Sequence, residues 1–159
     1  MKLQRIIGVG LVLLLIAGCD VQNGNVSPNE KNLIGTWVPD RQHSNCPPSW
    51  MAANVALVIK ADGLCEARNF GKGLFERSYT HDQDTSPQGV VNGSWRLRND
   101  GGKWGIAFQW KLVGRTFDYE ASLVEISNKT EIEFWIGYPD PYPRLLLQKA
   151  GVAGSPGQR

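Results

Sequence analysis

The chain has 159 residues, 42% of them apolar and 20% charged, which is enough apolar material for one cored domain and excludes wholesale disorder. Of its 17 cationic residues, Lys2 and Arg5 fall in an N-terminal leader; the remaining 15 match the 15 acidic residues, so the rest of the chain is neutral. A neutral domain offers no electrostatic case for binding nucleic acid and no polybasic patch for a membrane surface.

Residues 1–5 carry those two cations, and residues 6–16 are apolar. That run is too short to cross a hydrocarbon core of ~30 Å comfortably. Small residues then lead to a cysteine in Ile16-Ala17-Gly18-Cys19. A charged start, an apolar stretch and small residues before a cut make a secretory signal. Its four closing residues resemble the lipobox of bacterial lipoproteins. The resemblance implies removal of residues 1–18, a diacylglycerol on the Cys19 sulfur and a fatty acid such as palmitate on the new amino group. Two or more acyl chains, at roughly 0.8 kcal/mol per buried methylene, make a stable anchor. The implied location is the extracytoplasmic side of a bacterial cell envelope. Asp20 resembles the signal that keeps enterobacterial lipoproteins in the inner membrane, which makes its periplasmic face the first expectation and the outer membrane the second. Residues 19–32, the lipidated Cys19 and an aperiodic segment after it, read as a flexible tether.

From residue 33 the chain alternates with period two. A first strand is predicted at 33–38, around Gly35-Thr36-Trp37 and ended by Pro39. Residues 41–49 are polar and proline-rich, and Pro47-Pro48-Ser49-Trp50 offers one helical turn, since proline suits a helix start. Val55, Leu57 and Ile59 alternate along strand two, Asp62-Gly63 is a two-residue hairpin signal, and strand three runs over 64–69 with Cys65 and Ala67 on one face. Residues 70–91 have no period, and a structureless connection of that length is often functional. Gly93-Ser94-Trp95 echoes Gly35-Thr36-Trp37 and opens strand four, which turns at Asn99-Asp100-Gly101-Gly102. In strand five Trp104, Ile106, Phe108 and Trp110 share a face; Val113-Gly114 turns the chain into strand six at 117–123. Ser127-Asn128 turns it again into strand seven, with Ile132, Phe134 and Ile136 inward and Glu131, Glu133 and Trp135 outward. Tyr138-Pro139-Asp140-Pro141-Tyr142-Pro143 reads as a rigid loop, 144–149 as a last strand, and 150–159 as a disordered tail.

The predicted fold is therefore all-β: a single antiparallel up-and-down barrel of about eight strands over 33–149, closed because closure removes exposed edges. Arg96, Arg98 and Lys111 are expected across from Asp118, Glu120, Glu131 and Glu133, at about 0.2–1 kcal/mol per pair. Alternate connections of a meander share an end. The 41–50 and 70–91 connections, Trp135 and the 138–143 loop should thus gather at or beside one end, with the tight turns sealing the other.

With the strands in place, Gly35-Thr36-Trp37 resembles the Gly-x-Trp motif that opens the first strand of lipocalins and their relatives, where the tryptophan closes one end of the barrel. The longer pattern adds Pro39-Asp40, Asp62-Gly63 between its strands, Gly93-Ser94-Trp95, Trp104-Gly105-Ile106 and Pro139-Asp140. It is similar to small bacterial lipocalin-like lipoproteins with no assigned activity. The resemblance covers roughly 33–149; it implies a fold and a compartment and carries no catalytic residue.

Chemistry is sparse. Cys46 and Cys65, an even pair outside the cytoplasm, are expected to form a disulfide worth ~3 kcal/mol on the entropic model. His81, Asp82 and Asp84 lie in a polar loop where such residues are ordinarily solvated, so no metal is expected. Glu131 and Glu133 are expected on a solvated strand face with nothing to raise their pKa. No nucleophile elbow, zinc-helix motif or phosphate loop is present, so neither catalysis nor a cofactor is expected. Trp37, Trp95, Trp104 and Trp110 are placed in the core or at a barrel end. Trp50, Trp135, Tyr138, Asp140 and Tyr142 are the candidate binding residues, because exposed aromatics favour interfaces. The expected function is a non-catalytic, monomeric, membrane-anchored binding module for a small apolar ligand or an envelope component. The alternative is a protein-binding inhibitor or immunity-type lipoprotein, and an enzyme is the remote third. A pocket of ~300 Å³ or more at the barrel mouth would favour the small ligand; a filled barrel with Trp135 and Trp50 exposed would favour a protein.

Overall fold

The computed structural model describes residues 22–23, 28–76, 87–136 and 143–151. Residues 1–18, read from sequence as a signal segment, Cys19, the His81-Asp82-Asp84 set, the candidate binding residues Tyr138, Asp140 and Tyr142, and residues 152–159 lie outside them.

The described residues form nine antiparallel strands: β1 (Gln22–Asn23), β2 (Gly35–Pro39), β3 (Ala56–Ile59), β4 (Leu64–Arg68), β5 (Val90–Asp100), β6 (Lys103–Leu112), β7 (Arg115–Ile126), β8 (Lys129–Trp135) and β9 (Arg144–Lys149). Among the described residues helix is confined to α1 (Glu30–Leu33), a 3-10 turn (Pro48–Met51) and α2 (Gly73–Glu76). Strands β2 to β7 pair in sequence, β9 pairs with β2, and β8 joins β9 to β7. An eight-stranded up-and-down barrel thus closes, as the period-two pattern predicts. The ninth strand, β1, is an addition: Gln22 and Asn23 pair with Glu125 and Val124 of β7. β1 and the first three residues of α1 fall within the stretch 19–32 that the sequence reads as a tether.

The interior follows the alternation. Trp37, Leu57, Ile59, Cys65, Ala67, Ile106, Phe108, Trp110, Ile132, Phe134, Leu145 and Leu147 are all buried. The Phe108 ring stacks on Trp110 at 5.1 Å and on Phe134 at 5.7 Å. Fully burying one such side chain contributes ~1.5–3 kcal/mol, so this aromatic column holds the strands together. Trp95 and Trp104 are only partly buried, because β5 and β6 run on past the core.

Gly93 lies inside β5, not at its start. It faces Trp110 in register, and a Cβ there would come within 2.6 Å of the Trp110 ring. The echo of Gly35-Thr36-Trp37 thus has a packing cause of its own. Its tryptophan is tied down in the same manner: Trp37 Nε1 donates to Leu33 O at 2.8 Å and Trp95 Nε1 to Lys60 O at 2.9 Å. Leu33, read from sequence as strand, ends α1 and is buried beneath Trp37.

The register puts the connections after β2, β4, β6 and β8 at one end and those after β3, β5 and β7 at the other. The long-connection end is plugged. Trp50, Phe70, Leu74 and Phe75 are buried there, with Phe75 edge-on to Trp110 at 5.7 Å. The described stems of the 70–91 connection carry structure that its sequence does not suggest: α2 on one side, and a bridge between Gly71 and Pro87.

Candidate functional site

Strand β9 explains where the unusual chemistry sits. Leu145, Leu146 and Leu147 are all fully buried, and three consecutive apolar residues mark a strand covered on both faces. Leu145 and Leu147 point into the barrel, opposite Phe134 and Ile132. Leu146 points out, beside Glu133, and belongs to a small second core with Val124 and Ile126.

The loop after β2 runs along this strand. The Asp40 amide donates to Leu146 O at 2.8 Å, the Leu146 amide to Ser44 Oγ at 3.0 Å, and the Asn45 amide to Arg144 O at 2.9 Å. These bonds continue the sheet past Pro39, where an ordinary turn would leave it. They bring Asp40 and His43 to Glu131 of β8. Asp40 Oδ1 accepts from the Gln42 amide at 2.8 Å, Asp40 Oδ2 meets His43 Nδ1 at 2.5 Å, and ligand-capable atoms of Asp40, His43 and Glu131 lie within 4.8 Å of one another. Asp40 is 6% exposed and Glu131 2%, whereas the His43 side chain is 26% exposed.

The electrostatics split the two acids. Burial opposes ionisation of Asp40, but the His43 and Gln42 hydrogen bonds outweigh it and hold its carboxyl below the ordinary value. Burial, then the charge of Asp40, push Glu131 up to about 7. Two close acids whose environments drive them apart can hold one proton between them. The neighbouring Glu133, 3% exposed, is also raised, by burial, against Arg144 (3.4 Å) and the Trp135 indole N–H (3.1 Å). The solvated face expected for Glu131 and Glu133 is therefore corrected: neither pairs with Arg96, Arg98 or Lys111. Among those expected charge pairs, Arg98 with Glu120 is the one formed among the described residues.

The other sequence candidates separate. Trp135 stands 48% exposed at the rim of this site. Trp50 does not: it is 1% exposed, packed against Gly71, where a Cβ would come within 2.8 Å of its ring. Cys46 and Cys65 are separate buried thiols, not a disulfide. Cys65 pairs with Ile59 near Gly35, while Cys46 follows Asn45 beyond Pro39. Gly35 and Pro39 are four steps apart along β2, about 13 Å, well beyond a disulfide's ~4.4–6.8 Å. Burial pushes the two thiols up to about 11 and 12, so neither is an activated nucleophile.

Asp40 and His43 were not singled out from sequence. The available signal was the run Leu145-Leu146-Leu147, which shows that something covers the outer face of β9. Two concavities of about 210 and 460 Å³ lie on the outer side of β5–β7, the larger between Arg96, Gln109, Asp118 and Glu120. Comparison with known proteins returns no match: no family model fits the chain, and no curated protein or solved structure is similar to it.

Proposed function

We propose that this chain is a non-catalytic binding module, lipocalin-like in architecture, held on the extracytoplasmic side of a bacterial membrane by lipid on Cys19. Its ligand is a protein or other large envelope component, recognised on the outside of the barrel. The observation that carries this reading is the filled interior. Trp37, Trp50, Trp110, Phe70, Phe75, Phe108 and Phe134 are each under 2% exposed, and they occupy the space in which a barrel of this size could otherwise hold one small molecule. Recognition is left to the surface, and long connections over a rigid scaffold are where it concentrates. Trp135 and Val113, the latter 90% exposed at the β6–β7 turn, lie toward that end. The lipobox supports the anchor, and Asp20 favours the inner membrane over the outer.

The test uses the full-length protein expressed in a bacterial envelope. A photo-crosslinking residue in place of Val113 should give an adduct of discrete mass, and the same residue in place of Leu64, at the tight-turn end, should not. Organic extraction of the purified protein should release no stoichiometric apolar compound. Recovery of such a compound, or equal adducts from both positions, overturns the proposal.

A further inference from the structure

We propose that Asp40, His43 and Glu131 form a site for one divalent transition-metal ion of the Zn²⁺ type, which ties the loop after β2 to β8. The proposal is independent of the partner above.

The first support is geometric. An imidazole nitrogen and two carboxylates, drawn from two separate elements, bring ligand atoms within 4.8 Å of one another. Zinc bonds to nitrogen and oxygen are ~2.0–2.2 Å, so the tetrahedral edge between two ligand atoms is roughly 3.3 Å. The His43–Asp40 contact of 2.5 Å has to open by less than ~1 Å to admit the ion, and Glu131, whose ligand atom lies within 4.8 Å of the others, has to close by at most ~1.5 Å.

The second support is an orphan. Glu131 is 2% exposed, and its Oε2 is buried without a hydrogen-bond partner. A buried carboxylate oxygen left unsatisfied is costly. A proton shared with Asp40 links the two carboxyl groups but leaves Oε2 without a partner, and an ion bonded to that oxygen satisfies it.

The third is support for the ligands themselves. The Gln42 amide holds Asp40 Oδ1 at 2.8 Å and so fixes the carboxylate plane, as outer-shell partners do in metal sites. His43 is a quarter exposed, which leaves an entry path and room for a water in the fourth position. A mixed imidazole and carboxylate set suits Zn²⁺ and its neighbours, whereas Ca²⁺ and Mg²⁺ prefer oxygen alone.

The experiment is calorimetric titration of Zn²⁺ into the full chain, purified in detergent and stripped with chelator. The expected result is one equivalent bound per chain and a thermal midpoint raised by the ion. His43→Ala and Glu131→Gln should each weaken binding at least ~10-fold and abolish the midpoint shift. Co²⁺ in place of Zn²⁺ should give a visible absorption band that His43→Ala removes. Absence of stoichiometric binding overturns the proposal, as does affinity unchanged in both variants, which would place the ion elsewhere. Binding of Ca²⁺ or Mg²⁺ as tight as Zn²⁺ overturns the class of ion. If Glu131→Gln does not fold, His43→Ala decides alone, since its side chain is partly exposed and its loss leaves the barrel core intact.

Discussion

Two outer faces of the same barrel behave in opposite ways. On β4 to β7 the outward residues are charged and meet solvent: Glu66 pairs with Lys60 and Arg68, Arg98 with Glu120, and Gln109 Nε2 donates to Asp118 at 3.1 Å. On β8 and β9 the outward residues have the same period, yet Glu131, Glu133 and Leu146 are buried, as are Val124 and Ile126 at the adjoining end of β7. The strands do not differ in kind. What differs is the cover, because the loop after β2 lies along β9 and carries Asp40 and His43 over Glu131. One glutamate shows the consequence in each place. The Lys60 and Arg68 hydrogen bonds hold Glu66 below its usual value, whereas burial and Asp40 raise Glu131. Outward is thus a direction in a barrel and not an environment.

The largest effect that sharpens this contrast should come from two outward leucines. Leu146→Ala should cost about 2–5 kcal/mol, as a core truncation does. Leu64→Ala, at a residue 49% exposed, should stay within about 0.5 kcal/mol. Urea unfolding of both variants measures the difference, and equal costs would mean that β9 has no outer cover.

A smaller effect is expected from pH, in protein kept free of metal by chelator. The Glu131 proton stays on the folded chain up to about 7, while the unfolded chain releases it near ~4.3. The folded state therefore binds more protons between those values, and stability from this group falls as pH rises through them, by up to about 3 kcal/mol. Glu131→Gln should flatten that slope. Glu66→Gln should leave it unchanged and act in acid instead, since a lowered pKa stabilises above the unfolded value and is lost as pH falls. A wild-type stability curve that rises from pH 5 to 7 and is unaltered by Glu131→Gln would remove the buried-acid interpretation.

The smallest effect belongs to the exposed ion pair. Arg98 and Glu120 are each about half exposed, at 50% and 56%, so Glu120→Ala should cost ~0.2–1 kcal/mol and less in high salt. Glu133→Ala strips a partner from the Trp135 indole and from Arg144 at a buried position, and should cost about 1–3 kcal/mol. Thermal melts at low and high salt would separate the two, and equal, salt-sensitive losses would break the comparison.

Strand order, barrel closure and the inward set were legible in the amino-acid sequence because each depends on neighbours along the chain. Phe108 and Trp110 share a face by period two, Asp62-Gly63 turns the chain through its own backbone, and an up-and-down meander follows from short turns. The long connections also share an end for that local reason. What covers a face was not legible, since it depends on residues far apart in sequence. Asp40 reaches Glu131 only through bonds between its loop and Leu146, more than a hundred positions away. Contacts between separate elements also hid the fate of Trp50, buried against Gly71, and of Cys46 and Cys65, whose spacing in sequence suits a disulfide while the height of the barrel keeps them apart. Period sets the direction in which a side chain points; only the tertiary structure decides whether water or protein meets it there.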